Sequence, residues 1–127
     1  MKVLGIRFCR VAKRENAEAL AKMLGPAGLG IKERDLGALG DAGGFSGAVF
    51  PIEANEDNSW IEIWPAGPEM PEMVMLQIIV DDADAWAQNA RNNGLDPKGP
   101  DDAHGERIYY LEGPGGLPIA FASKVAD

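Results

Sequence analysis

The chain has 127 residues, 46% of them hydrophobic and 25% charged, which is an ordinary globular composition and enough length for one domain with a real core. Its net charge of −8 repels phosphate backbones and anionic lipid surfaces, so nucleic-acid and membrane partners are not expected. One cysteine, Cys9, excludes an intrachain disulfide framework and a cysteine-built metal cluster.

In chain order, "KVLGIRFCR" alternates Ile6 and Phe8 with Gly5, Arg7 and Cys9, a strand of period two. The same N-terminal stretch lacks the long apolar region and small-residue cleavage site of a signal peptide, so a cytoplasmic protein is expected. "ENAEALAKMLG" puts Ala17, Leu20, Ala21 and Leu24 at helical spacing, and Gly25-Pro26 ends the helix. Strands are expected over 30–36, 44–53 and 58–64, separated by Gly, Asp and Asn turn signals. A Pro/Gly linker, 65–72, follows.

The order then returns. "MVMLQIIV" (73–80) reads as a strand, and Asp82 as the N-cap of a helix whose Ala83, Trp86, Ala87 and Ala90 form the buried stripe. Strands are expected near 95–99, over 106–112 and over 117–123, the last two joined by a "GPGG" turn. The repeat rests on element order and hydrophobic phase, with negligible identity between the halves. The fold class expected is α+β: two tandem βαβββ modules, about 1–64 and 73–127, within a single domain.

Charge is unevenly spread. Residues 1–64 carry 8 basic and 9 acidic side chains, residues 65–127 carry 4 and 11, and between Arg34 and Arg91 there is no Lys or Arg against eleven Asp and Glu. Such a surface attracts small cations.

Two stretches carry a resemblance. "VDDADAWAQNARNNGL" is similar to the strand-to-helix opening, and "GERIYYLEGPGGLPIAFAS" to the closing hairpin, of the second module in the vicinal oxygen chelate superfamily, the glyoxalase, bleomycin-resistance and extradiol-dioxygenase group. The resemblance implies sheets curled around a cleft and, often, a homodimer. In metal-dependent members it implies ligands on the first and last strands of each module. Those positions fall here near Gly5, on Glu62, on Met75 with Gln77 one step along, and on Ala120. Glycine and alanine offer no donor and a thioether suits hard divalent ions poorly, so no metal and no other cofactor is expected. The one histidine, His104, sits with Asp101, Asp102 and Glu106 in an acidic turn.

If the strands alternate, Ile6, Phe8, Ile61, Ile63, Leu76, Ile78, Val80, Leu117, Ile119 and Phe121 face a core. The opposite side then holds Arg7, Cys9, Trp60, Glu62, Trp64, Met75, Gln77, Ile79, Pro118 and Ala120. One of Tyr109 and Tyr110 joins them; alternation alone does not choose, and Tyr110 enters the candidate set. Aromatic and apolar groups with a few polar ones are the make-up of an organic ligand pocket. The ligand-binding candidates are therefore Arg7, Trp60, Glu62, Trp64, Met75, Gln77 and Tyr110, with an Arg7–Glu62 ion pair as one arrangement. Cys9 has no histidine near it in sequence to form a thiolate and reads as a small buried residue.

The function expected is metal-independent binding of a cationic or aromatic small molecule. The alternatives are a lyase, isomerase or dioxygenase-like enzyme with Glu62 as catalytic general base, and a degenerate module serving only dimer contacts.

Overall fold

A computed structural model describes residues 1–35 and 45–125. Among these residues, two α-helices and a short 3-10 helix (Glu53–Asn55) accompany a seven-stranded mixed sheet that is not closed, in an α+β arrangement. Two compact units form, residues 8–74 and residues 1–7 with 75–127, and the first strand, β1 (Val3–Ala12), contributes to both.

In the unit of residues 8–74, α1 (Arg14–Leu24) is helical where its apolar positions recur every three or four residues. It buries Ala17 and Ala21, and Leu20 and Leu24 pack beside them. Gly25 closes it by donating its N–H to the Ala21 carbonyl at 3.0 Å. Strand β2 (Ala48–Pro51) pairs antiparallel with β3 (Trp60–Pro65), Ala48 opposite Ile63 and Phe50 opposite Ile61. The period-two pleat therefore turns Ala48, Phe50, Ile61 and Ile63 to one face and Val49, Trp60, Glu62 and Trp64 to the other. The first face packs on α1, and Phe50 and Ile63 are fully buried there, each worth about 1.5–3 kcal/mol over exposure.

One expected strand does not form among the described residues. Gly30–Asp35 form none, although Arg34 donates its backbone N–H to the Val49 carbonyl at 2.7 Å. Lys32, Glu33, Arg34 and Asp35 provide no alternating apolar face to bury, and Ile31 joins the core from irregular backbone instead. Leu36 and Gly44, which the expected strands included, lie outside the described residues.

In the other unit, β4 (Met73–Val80) lies parallel to β7 (Leu117–Lys124), which pairs antiparallel with β6 (Glu106–Gly113), which pairs with β5 (Lys98–Ala103). The strand expected near 95–99 thus lies a few residues later. Helix α2 (Ala83–Asn92) begins as expected: the Asp82 carboxylate accepts the Ala85 N–H at 3.2 Å. Ser123 Oγ accepts the buried Ala83 N–H at 2.9 Å, tying the helix start to β7. Ala83 and Ala87 bury against Val80, Tyr109 and Phe121, with Ile78, Trp86 and Leu111 around them. The Tyr109 and Phe121 rings stack at 5.3 Å.

The expected core list needs correction on β1 and β7. Ile6 is 52% exposed, Phe8 42% and Leu117 36%, whereas Arg7 and Cys9 are each 5% exposed. Alternation assigns side chains to faces, but burial follows what covers the face, and neither core cluster contains Ile6, Phe8 or Leu117.

Candidate functional site

Neighbouring same-face positions on a strand lie roughly 7 Å apart, a span that an indole can bridge toward a glutamate two residues away. On β3 both tryptophans do so. Trp60 Nε1 donates to Glu62 Oε2 at 2.6 Å, and Trp64 Nε1 donates to Glu62 Oε1 at 2.9 Å. Each carboxylate oxygen thus holds one N–H, and charge-assisted bonds of this length rank among the stronger ones in proteins. The carboxylate is half-buried and its position is set by two rigid rings.

Each ring has its own support. A Cβ added to Gly47 would lie 2.1 Å from Trp64 Cε3, so the indole rests directly on the glycine backbone, whose φ of +137° favours glycine in any case. The Arg34 guanidinium lies over the Trp60 ring, 4.8 Å from its centroid, and also donates to the Glu56 carbonyl at 3.0 Å. Both partners escape a sequence reading. The available signals are a glycine opposite Trp64 in the hairpin and the last cation before a long stretch with none.

Val49 stands opposite Glu62 in the ladder, and Cys9 is buried close enough to feel its charge. Burial first and the Glu62 carboxylate second push the Cys9 thiol up to about 11. That protonated thiol is no nucleophile at neutral pH, as its sequence context suggested.

Arg7, Met75, Gln77 and Tyr110 belong to the other unit. Arg7 pairs with Glu106, the arrangement with Glu62 being replaced by two parallel bonds, Nη1 to Oε1 at 3.0 Å and Nη2 to Oε2 at 2.9 Å. The two partners are 99 residues apart in sequence, so no local pattern announces the pair. Both are largely buried, with side-chain exposures of 6% and 17%. Gln77 stands opposite Ala120, and Ala120 opposite Tyr110, so these three form one cross-strand row. Glu106 shares the face of Tyr110 by alternation on β6. Burial and the charge of Asp101 raise the Tyr110 hydroxyl. Tyr109 turns to the α2 side and donates its hydroxyl to Asp84 at 2.5 Å, which resolves the choice left open between the two tyrosines. Met75 is half-buried.

No protein-family model matches the sequence, and no curated protein does. Solved structures do match. Methylmalonyl-CoA epimerase of Streptomyces coelicolor, in complex with 2-nitronate-propionyl-CoA, aligns over 98% of this chain and 100% of its own, at 15% identity and a TM-score of 0.63. The epimerase of Mycobacterium tuberculosis aligns over 98% and 90%, at 15% identity and 0.62. A hypothetical protein from Bacillus halodurans C-125 aligns over 99% and 96%, at 20% identity and 0.58. The chain shares the fold of these proteins. At these identities the likeness establishes the architecture, and function has to be argued from the side chains.

The sequence resemblance to the vicinal oxygen chelate superfamily implies a divalent metal in its metal-dependent members, and the donor set here does not fit one. Gly5 and Ala120 bring no donor, Met75 brings a soft thioether, and Glu62 already accepts an indole N–H on each oxygen. Among the described residues, no three His, Cys, Asp or Glu side chains come together in a ligand cluster, the His104 turn included. No helix among them is long and apolar enough to cross a membrane.

Proposed function

We propose that this chain is a metal-independent small-molecule binding protein whose Trp60–Glu62–Trp64 face takes a cationic, aromatic organic ligand. The observation that carries this reading is the grip of two indole N–H groups on the two oxygens of one carboxylate. A negative charge held in place between aromatic rings complements an ammonium or amidinium group. Cation–π contact would add about 0.5–2 kcal/mol per ring. The acidic surplus of the chain favours approach of a cation.

The expected result in a thermal-shift titration is that benzyltrimethylammonium raises the melting temperature of the wild type and not of Glu62→Gln. An equal rise in both proteins sinks the reading.

A second reading draws on the epimerase neighbours: proton transfer with Glu62 as base. Incubation with methylmalonyl-CoA in D2O tests it, and Glu62-dependent deuterium incorporation at the substrate's α-carbon would favour it over the first. The surplus of negative charge is an unhelpful environment for a CoA thioester, which is itself polyanionic. A homodimer belongs to the primary reading, supported by Leu4, Ile6 and Phe8, a row of apolar side chains left 42–52% exposed on β1. Sedimentation velocity showing only monomer at tens of micromolar would remove it.

A further inference from the structure

The Trp60 ring already carries a cation. Arg34 is half-buried in irregular backbone, its main chain held by the bond to Val49, its side chain reaching the indole face and the Glu56 carbonyl. Among the described residues no carboxylate lies within ion-pair distance of its guanidinium. Its two side-chain contacts, a ring face and one carbonyl, are individually weak and replaceable by water. Beside it opens a surface cavity of about 530 Å³, to which Arg34 itself contributes and which four carboxylates, those of Glu33, Asp35, Glu53 and Glu56, line together with Lys32.

We propose that Arg34 is a built-in competitor for the site: its guanidinium occupies the Trp60 position that a cationic ligand needs, and it must swing toward this acidic cavity before the ligand can stack. The inference rests on the reading of Trp60–Glu62–Trp64 as a cation-binding face. Charge and geometry both point this way. A second cation brought to the same ring and the same neighbourhood would meet like-charge repulsion while Arg34 stayed, whereas carboxylates within reach of the displaced arginine offer it a new partner. Arg34 thereby sets a threshold of selectivity, admitting only cations that bind the indole and Glu62 better than an arginine binds the indole alone.

Calorimetric titration of benzyltrimethylammonium into the wild type, Arg34→Gln, Lys32→Gln, Trp60→Leu and Glu62→Gln tests this. Removal of the competitor should tighten binding in Arg34→Gln by about 2- to 30-fold, the range of one cation–π contact. Lys32→Gln makes the same change in net charge on the wall of the same cavity but leaves the Trp60 ring occupied, so it should tighten binding by less than Arg34→Gln does. Affinity unchanged or weaker in Arg34→Gln, or tightened to the same degree in Lys32→Gln, overturns the inference. If Trp60→Leu and Glu62→Gln still lose binding in that case, the underlying reading stands without it. Binding unaffected by Trp60→Leu and Glu62→Gln, or no binding by any of the proteins, overturns both.

Discussion

Gly47→Ala should dismantle the indole clamp from beneath. The new methyl would sit 2.1 Å from Trp64 Cε3 and 2.2 Å from Cζ3, far inside contact distance, and the strand partner leaves the backbone little freedom to retreat. Overpacking of this kind costs about 1–3 kcal/mol. A φ of +137° is disfavoured for any residue with a Cβ, adding about 1–3 kcal/mol. If Trp64 swings away, its charge-assisted bond to Glu62 goes too, about 1.5 kcal/mol at a half-buried site. Taken with partial relaxation the loss is about 3–5 kcal/mol, a large share of the roughly 5–15 kcal/mol that stabilises a domain. Urea unfolding followed by tryptophan emission, in a Trp86→Phe background, should show the midpoint falling by roughly 1.5–2.5 M at a slope of about 2 kcal/mol/M. Gly30→Ala is the control: its φ is +94° but nothing lies within 4 Å of the added methyl, so it should register backbone strain alone. A Gly47→Ala midpoint no lower than that of Gly30→Ala would refute the stacking of Trp64 on this glycine.

Arg7→Met should destabilise the fold by about 3–5 kcal/mol because it strands Glu106 with its charge largely buried, while the double variant Arg7→Met/Glu106→Leu should recover most of the loss. Equal stability of the single and double variants in urea would show that the pair is not coupled. Cys9 should resist iodoacetamide at pH 8, alkylating about a hundredfold more slowly than in the urea-unfolded chain, since its thiol is raised from 9.0 to about 11. A group raised on folding keeps its full contribution below its unfolded value and loses it as pH climbs through the folded one, so stability should fall between pH 9 and 11. Cys9→Ala should flatten that part of the pH profile; an unchanged slope would contradict the burial of the thiol beside Glu62.

Alternation and helical spacing were enough to place most elements and to put Trp60, Glu62 and Trp64 on one face, because both depend only on local backbone geometry. They also marked the α1 stripe, the Asp82 cap and the turn at Gly113–Gly116, each a matter of neighbours within a few residues. Missing donors at Gly5 and Ala120 were equally legible, since chemistry absent from a side chain is absent in every fold.

Tertiary structure decided the rest. The partner of Arg7 comes from 99 positions away, and Tyr109 and Tyr110, alternating on the same strand, were told apart only by the rings and carboxylate packed against them. Ile6 and Phe8, which their pattern assigned to a core, stay exposed because neither core cluster includes them. Arg34, read from sequence only as the edge of a cation-free stretch, lies on Trp60 because irregular backbone brought it there. Periodicity says which way a side chain points, and only the packed chain says what it meets.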